Sequence, residues 1–369
     1  MTFIYSSLIK KTPLFNQHTK AKAKMVDFHG WSMPINYGSQ ISEHEEVRNN
    51  CGIFDVSHMA VVDFRGPDAR NFVRRLISND VDSLKEDYDG LYSAMLNKNA
   101  GVIDDLIAYR MEFGYRLVFN CARQEQDIKW ISSISSNFKI EINERNDLGM
   151  VAIQGPQALN LLDELGLSSL NSKKRFQGTY EDEVLAVKTG YTGEKGFEII
   201  LSNEKAELIW EKALKAGASP IGLAARDTLR LEGGMNLYGF EMDDSVSPLE
   251  CNMAWTVSWL DEDRDFIGKD SLLKQIEENN YRELVGIVLE ERTILRHGQK
   301  LYLDNKKQLE GVVTSGTYSP TLKKPIALAR FPRKNKKTCF AEARGKLIQA
   351  KIGSPKFVIE GKAVFKERK

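Results

Sequence analysis

An internal repeat constrains the fold of this chain more than any other feature of its sequence. The apolar run Val61 to Arg65 is followed by Gly-Pro and by a segment with helical spacing that ends at Ile77. The apolar run Met150 to Ile153 is also followed by Gly-Pro and by helical spacing, over residues 157–165. Short apolar runs favour strands, and proline suits a first helical turn because its missing N–H is not needed there. The chain therefore contains two similar β-α units.

The segments after each unit match as well. We predict two strands and then an amphipathic, tryptophan-containing helix in both copies, with one further strand in the first copy. The predicted strands are 102–109, 115–120 and 138–144 in the first copy and 184–188 and 197–201 in the second, and the helices are 124–134 and 204–214. This order is a split β-α-β arrangement, in which helices cover one face of an antiparallel sheet.

The C-terminal part changes character and is rich in short predicted strands. They are 284–289, 301–303, 311–314 and 326–329, with one helix at 270–277. We therefore predict a multidomain α+β protein with two antiparallel-sheet domains and a C-terminal β-barrel or jelly-roll-like domain. The predicted domains are residues 1–58 together with 146–250, a ferredoxin-like domain at 59–145, and the β-rich domain at 260–369.

Chain length, charge and cysteine content exclude several classes of protein. A chain of 369 residues is too long for one compact core. Lys and Arg (52) nearly balance Asp and Glu (51), so no long-range basic field would gather nucleic acid or an anionic membrane. Four scattered cysteines without a C-x-x-C pair argue against a disulfide framework and a zinc knuckle. The segment Met1 to Lys11 is a poor secretory or transit signal, which favours the cytoplasm over the mitochondrial matrix.

Several common catalytic signatures are absent from the sequence. No two glycines are separated by a single residue, which excludes G-x-G-x-x-G, and no phosphate loop, G-x-S-x-G or H-E-x-x-H occurs. The five histidines have no metal-ligand spacing. A site built from carboxylate, tyrosine, asparagine and arginine side chains remains.

Six motifs together carry a family resemblance. They are MVDFHGWSM (25–33), GIFDVSHM (52–59), GVIDDLIAY (101–109), TGYTGEKGFE (189–198), GLAARDTLRLE (222–232) and TSGTYSP (314–320). In this order and at these separations the chain resembles the glycine cleavage T-protein family, from about Thr12 to Val364. The resemblance implies three domains around a central hole where tetrahydrofolate binds.

The resemblance also implies the reaction and the partners. The expected activity is aminomethyl transfer from the dihydrolipoyl arm of H protein to tetrahydrofolate, which releases ammonia and gives 5,10-methylenetetrahydrofolate. No metal is expected, and we expect a monomer that meets H protein transiently.

Asp104 and Asp105 are the candidate catalytic acids. They are adjacent on a predicted strand, so they point to opposite faces, and each has aliphatic neighbours on its own face. The pattern cannot choose between them, and a turn cap or a paired buried acid is an alternative for either. The resemblance implies that Asp105 is catalytic and takes or relays a proton near N10 of the folate.

Five further residues match folate contacts of the family. From the residues alone Glu198 is a solvent-facing hairpin residue, the tyrosines are core or hairpin aromatics, and Arg226 belongs to a surface ion pair. The resemblance instead implies that Glu198 binds the pterin ring and that the others contact folate. These predicted folate-binding residues are Tyr92, Asn120, Tyr191, Glu198 and Arg226.

Two departures from the family pattern fall outside the predicted site residues. Ala100-Gly101 stands where relatives have two glycines, and alanine tolerates a positive φ poorly. Lys323-Lys324 stands where relatives often have a glycine.

Three rival functions share the fold. A folate-dependent demethylase would not keep this register of motifs. A folate-binding protein linked to iron–sulfur assembly would carry K-G-C-Y-x-G-Q-E, which is absent here. The folate domain of sarcosine- or dimethylglycine-type dehydrogenases accompanies a flavin-binding domain, for which this chain has no nucleotide fingerprint.

Overall fold

The computed structural model describes residues 9–304, 307, 310–343 and 345–368. Most of the N-terminal segment considered above as a targeting signal therefore lies outside the described residues. None of the described helices is long and apolar enough to cross a membrane.

The described α-helices are α1 Phe15–Lys20, α2 Gln40–Asn49, α3 Ala69–Leu76, α4 Gln124–Ser135, α5 Asn203–Lys215, α6 Leu223–Glu232 and α7 Lys269–Glu278. Side-chain capping begins α2 and α5. The Ser202 hydroxyl, for example, accepts a hydrogen bond from the backbone N–H of Lys205 and so begins α5. Asn279, in the left-handed conformation at φ 50°, ends α7.

The described strands are β1 Lys10–Lys11, β2 Lys24–Phe28, β3 Trp31–Asn36, β4 Gly52–Asp55, β5 Ala60–Arg65, β6 Gly90–Leu96, β7 Val102–Met111, β8 Gly114–Phe119, β9 Glu141–Glu144, β10 Leu148–Gln154, β11 Gly178–Glu181, β12 Val184–Val187, β13 Gly196–Ser202, β14 Ser219–Pro220, β15 Arg282–Leu289, β16 Lys300–Tyr302, β17 Glu310–Ser319, β18 Lys324–Pro332, β19 Thr338–Ala343, β20 Lys346–Gly353, β21 Val358–Ile359 and β22 Lys362–Ala363. Short apolar runs predicted most of the longer strands, because such runs favour strands.

The chain divides into two compact units. The first consists of residues up to Val61, Arg145–Gly190 and Glu194–Asp227. Its main sheet has the order β11-β12-β13-β10-β4-β14, and β10 pairs antiparallel with both β13 and β4. Helix α5 covers this sheet with Ala206, Trp210 and Ala213, which join the buried core of the unit. Amphipathic spacing in α5 therefore produces the helix-on-sheet layer that the repeat predicted.

The second unit consists of residues Val62–Glu144, Tyr191–Gly193 and Thr228–Lys369. It contains a sheet of order β6-β7-β8-β5-β9 and a closed barrel of order β15-β18-β17-β16-β19-β20. Inward-facing side chains of the barrel strands, such as Val285, Ile287 and Phe331, form its core. The predicted α+β class with a C-terminal barrel is confirmed.

One predicted helix is wrong. Residues 157–165 form only a 3₁₀ turn, Ala158–Leu161, followed by further turns. Gly166 takes a left-handed φ of +75° immediately afterwards. The segment therefore forms separate turns that end at a left-handed glycine, and its apolar spacing alone does not produce a continuous helix. The strand predicted at 138–144 is also shorter, since β9 begins at Glu141.

The predicted boundaries of the three domains stay predictions, and so does the central hole.

Candidate active site

Strand register in the second unit places three predicted site residues on one face of a sheet. In the β6–β7 pair Tyr92 lies opposite Ile107, and in the β7–β8 pair Ile107 lies opposite Val118. Asp105 is two residues before Ile107, so its side chain points to the same face. Asn120 directly follows β8 and continues this register to a position beside Asp105. Cross-strand neighbours in such a sheet are close enough for direct hydrogen bonds.

These side chains hold the Asp105 carboxylate at both of its oxygen atoms. The Tyr92 hydroxyl donates to Oδ2 at 2.6 Å, and the Asn120 amide nitrogen Nδ2 donates to Oδ1 at 2.8 Å. Asp105 is half-buried, whereas its neighbour Asp104 is fully buried. The geometry therefore presents Asp105, and not Asp104, where a ligand could meet a fixed carboxylate.

The Tyr92 phenol is a hydrogen-bond donor in this arrangement. Burial, and next the negative charge of Asp105, raise the pKa of Tyr92 well above its usual value. The phenol therefore keeps its proton at neutral pH and donates a hydrogen bond to Asp105. The sulfur of Met253 lies 3.7 Å from the same hydroxyl, and the ring of Trp255 lies 5.9 Å from the Tyr92 ring between centroids.

Tyr191 lies in the loop between β12 and β13, and within the second unit its hydroxyl donates to the backbone oxygen of Asn236. Asn236 in turn donates through its side chain to the backbone oxygen of Cys251 at 2.8 Å. Tyr191 is also among the groups whose negative charge would raise the pKa of Tyr92, after burial, Asp105 and Cys251. The structure therefore brings Tyr92, Asp105, Asn120 and Tyr191 into one region of the second unit.

The first unit contains the other two predicted site residues, Glu198 and Arg226. Glu198 lies in β13 opposite Ala152 of β10 and Val187 of β12, and only 9% of it is exposed. Its Oε2 atom has no hydrogen-bond partner among the described residues. Burial raises the pKa of Glu198 to about 7, although the positive charge of Arg226 in α6 opposes the shift. The solvent-facing alternative for Glu198 is therefore wrong, because a central strand of the sheet carries it into the interior.

Comparison with known proteins gives the family. A model of the GCVT N-terminal domain matches residues 14–261, and a model of the glycine cleavage T-protein C-terminal barrel domain matches residues 282–358. The chain belongs to the glycine cleavage T-protein family.

Individual relatives agree with this assignment. An aminomethyltransferase of Legionella pneumophila (strain Philadelphia 1) is 46% identical over 96% of this chain and 99% of the relative. An aminomethyltransferase of Alcanivorax borkumensis is 49% identical over 97% and 99%. The crystal structure of glycine cleavage system aminomethyltransferase T from Bartonella henselae is 33% identical, covers 97% of this chain and 100% of its own, and has a TM-score of 0.89. The expected enzyme class, an aminomethyltransferase of the glycine cleavage system, is confirmed.

The first copy of the repeat in this T-protein family member has no carboxylate at the position that corresponds to Glu198. Arg116 occupies the position in the first copy that Glu198 occupies in the second, two residues past the glycine that begins the strand. Its guanidinium makes two parallel hydrogen bonds to Asp63, at 2.7 Å and 2.9 Å, and both side chains are buried. Arg116 therefore has a structural role.

Two buried residues near the predicted site were not among the predicted site residues. His58 of the first unit has no partner for Nδ1 among the described residues, and burial, Arg226 and His29 lower its pKa to about 3. Asp127 of the second unit is 1% exposed and lies on the buried face of α4 with Ile131. An aspartate four residues before an isoleucine on the apolar face of a helix was the signal in the sequence that could have identified it.

Proposed function

We propose that this enzyme transfers the methylene carbon of an aminomethyl group, carried on the dihydrolipoyl arm of H protein, to tetrahydrofolate. Ammonia is released and 5,10-methylenetetrahydrofolate forms. The observation that carries the proposal is the half-buried Asp105 carboxylate, which hydrogen bonds from Tyr92 and Asn120 hold at both oxygens. A carboxylate fixed in this way is suited to accept or relay a proton, because it does not have to move into place during the reaction.

The reaction balances without an oxidant or a metal. Two bonds form, from N10 and from N5 of the folate to the methylene carbon, and two bonds break, from that carbon to sulfur and to the amino nitrogen. The two protons that leave N5 and N10 match those gained by the new thiol and by ammonia. Among the described residues no cluster of His, Cys, Asp and Glu has the form of a metal site.

Asp105 acts on the N10 side of this exchange. As N10 attacks the aminomethyl carbon its basicity falls and its proton must leave. The carboxylate of Asp105 accepts or relays that proton, while Tyr92 and Asn120 keep the carboxylate oriented. Tyr92 and Asn120 also form the surface against which the folate packs.

Glu198 binds the pterin ring. Its Oε2 atom is a buried hydrogen-bond acceptor without a partner among the described residues. Leaving such an oxygen unsatisfied costs free energy, so a ligand that donates a hydrogen bond to it would bind favourably. The 2-amino-pyrimidinone edge of a pterin offers two N–H donors to one carboxylate. Arg226 and Tyr191 supply further folate contacts, the former through a guanidinium suited to anionic or carbonyl oxygens.

The partners follow from the proposed reaction. They are the lipoylated H protein and tetrahydrofolate, and we propose that the enzyme works as a monomer in the cytoplasm of a bacterium. The near-neutral net charge of +1 is compatible with a transient protein partner and gives no attraction for nucleic acid.

The test is the formation of methylenetetrahydrofolate from purified enzyme, aminomethyl-loaded H protein and tetrahydrofolate. The expected result is product and ammonia in equal amounts, and no product when free methylated amines or sulfonium compounds replace the loaded H protein. A folded enzyme that binds folate but uses only the small methylated compounds would overturn the proposal in favour of a demethylase.

A further inference from the structure

A small hairpin follows the barrel, and none of the predicted site residues lies in it. Its strands β21 and β22 pair antiparallel. Glu360 and Gly361 form the connection between them, with φ values of +48° and +67°. Two successive left-handed residues are typical of a type I′ turn, which suits a two-residue hairpin loop. Glutamate rarely adopts this conformation, so contacts around the turn must hold it in place.

Buried apolar side chains anchor the hairpin to the barrel. Phe357 and Val358 are fully buried and belong to an apolar cluster that includes Leu328 of β18. The Phe357 ring also stacks on the ring of Phe365, with 5.5 Å between the centroids. The hairpin therefore has a fixed position within the second unit.

Glu232, the last residue of α6, also joins the hairpin to the barrel. Its backbone oxygen accepts a hydrogen bond from the N–H of Phe357 at 2.9 Å. Its buried carboxylate accepts from the Ser319 hydroxyl, and from the hydroxyl and the backbone N–H of Thr321 at 2.9 Å and 3.1 Å. The end of the motif GLAARDTLRLE therefore meets the end of the motif TSGTYSP beside the hairpin.

The turn of the hairpin contacts the loop that carries Tyr191. The backbone N–H of Glu360 donates to the carbonyl oxygen of Gly193 at 2.9 Å. A Cβ atom at Gly193 would lie 3.2 Å from the backbone oxygen of Val358 and 3.5 Å from the Cα atom of Gly233. Gly193 is therefore packed between the hairpin and the segment that follows α6.

That segment holds the other end of Tyr191. The Tyr191 hydroxyl donates to the backbone oxygen of Asn236. Pro355, just before the hairpin, packs against the same segment, since a Cβ atom at Gly234 would lie only 2.0 Å from its backbone oxygen. The hydroxyl of Tyr191 is thus held by the segment after α6, and the backbone beside Tyr191 is held by the hairpin through Gly193.

We propose that the hairpin β21–β22 positions Tyr191 for folate binding, with Glu360 as the positioning residue. The N–H of Glu360 holds the carbonyl oxygen of Gly193, two residues after Tyr191, and so keeps the phenol in the orientation that reaches Asn236. The proposal rests on the function proposed above, because it takes Tyr191 as a folate contact. Glu360 acts through Gly193 and Tyr191, and not by touching the reacting atoms.

The loop between β12 and β13 needs such support because it contains Gly190 and Gly193. Glycine loses more conformational freedom on ordering than any other residue. A loop that is already held before the ligand arrives does not lose this freedom during binding, so the ligand binds more tightly. The hairpin therefore contributes to folate affinity without contacting folate.

Two substitutions of Glu360 separate its backbone N–H from its side chain. Proline has no N–H and cannot adopt a positive φ, so Glu360→Pro removes the hydrogen bond to Gly193. Asparagine keeps the N–H and tolerates a left-handed φ. In isothermal titration calorimetry with tetrahydrofolate, Kd should rise about threefold to tenfold in Glu360→Pro and stay within about twofold of wild type in Glu360→Asn.

A double-mutant cycle shows whether the effect passes through Tyr191. Tyr191→Ala removes the side chain that the hairpin orients. In this background Glu360→Pro should therefore raise Kd by less than about twofold further. A hairpin that only stabilised the fold would give the same fold-change in both backgrounds.

A second pair of variants leaves the residues of the hairpin unchanged. Gly193 and Gly239 have φ values of +81° and +83°, so alanine is strained to a similar degree at either position. At Gly193 the added Cβ presses on the hairpin, whereas at Gly239 no atom of the described residues lies within 4 Å of it. The Kd for tetrahydrofolate should rise at least about threefold in Gly193→Ala and stay within about twofold of wild type in Gly239→Ala.

Hydrogen exchange gives a measurement that needs no folate. The segment Tyr191–Gly193 should exchange faster in Glu360→Pro than in wild type and in Glu360→Asn, because its contact with the hairpin is lost.

The outcomes separate the two proposals. Unchanged exchange and Kd in Glu360→Pro, an equal loss of affinity in Glu360→Asn, or a fully additive cycle would overturn the positioning role of the hairpin. A wild type that does not bind tetrahydrofolate would overturn the proposed function instead, and the exchange comparison would still decide whether the hairpin orders the loop.

Discussion

Two aspartates that are adjacent in sequence have different environments in this protein. Alternation along β7 sends Asp104 into the interior, where it accepts two hydrogen bonds from Asn120, and leaves Asp105 half-buried beside Tyr92. The apolar neighbours of the two residues are alike, so the sequence pattern could not choose between them. The choice depends on which strand neighbours supply donors, and that is a property of register.

Glu198 gives a prediction with a defined pH dependence. A ligand that donates two N–H groups binds the ionised carboxylate, but the pKa of Glu198 in the free protein is about 7. Tetrahydrofolate affinity should therefore weaken as pH falls below 7, by up to about tenfold per pH unit. Isothermal titration calorimetry between pH 5.5 and 8 measures this slope.

Replacement of Glu198 separates its charge from its size. Glu198→Gln should weaken folate binding by about tenfold to a hundredfold at pH 8, because hydrogen bonds to a charged group contribute about 1.5–3 kcal/mol. The slope below pH 7 should disappear in the same variant. The exposed Glu181→Gln in β11 of the same unit is the control. A pterin-binding role would be excluded if Glu198→Gln bound folate as the control does.

At the scale of elements, the turn between β6 and β7 positions the strand that carries Asp105. Asn97 organises it, since its Oδ1 accepts from the backbone N–H groups of Asn99 and Gly101 at 2.9 Å and 3.0 Å. Ala100 takes the left-handed φ of +67° that glycine would adopt without strain. The departure from two glycines therefore leaves the turn intact, with a strained but fully buried alanine.

Gly101 tolerates no side chain at this turn. A Cβ atom there would lie 1.8 Å from the backbone oxygen of Asp244. Gly101→Ala should therefore destabilise the protein by about 1–3 kcal/mol, or more if the turn cannot shift, and lower the apparent Tm. Ala100→Gly is the matched control. It relieves a left-handed alanine but loses a buried methyl group, so its Tm should change by much less. Equal Tm values for the two variants would contradict this account of the turn.

The buried Arg116–Asp63 pair joins β8 to β5 and provides a second prediction for an element. Arg116→Met leaves the Asp63 carboxylate without its two parallel guanidinium bonds, and breaking a buried pair in this way costs about 3–5 kcal/mol. Arg116→Lys keeps the charge, so it should cost less. Urea denaturation measures both. A loss below about 1 kcal/mol in Arg116→Met would show that the pair is not important for this sheet.

At the scale of the whole molecule, patterns repeated along the sequence predicted most of the architecture. Short apolar runs predicted β7, β8, β12 and β13, and the tryptophan-containing helices α4 and α5 lie close to the residues predicted for them. The segment at 157–165 was predicted incorrectly, because its helical spacing did not reveal that it would form separate turns ending at Gly166.

The candidate site could be predicted only as a set of residues. Motif resemblance named Asp105, Glu198 and Arg226, but no local pattern could show that Glu198 is buried or that one of its oxygens lacks a partner. Asp127 was missed because its contacts depend on how α4 packs on the sheet. Long-range packing therefore determines the burial and the pKa values of these acidic side chains, which the sequence alone does not show.

The most direct test of the account compares wild type and Asp105→Asn in the formation of methylenetetrahydrofolate from aminomethyl-loaded H protein and tetrahydrofolate. The substitution keeps the shape of the side chain, but it removes the carboxylate that Tyr92 and Asn120 hold. We expect kcat to fall by about a hundredfold or more, while the affinity for folate and the apparent Tm stay close to wild type. Turnover by Asp105→Asn within a few-fold of wild type would contradict the assignment of Asp105 as the catalytic acid–base group.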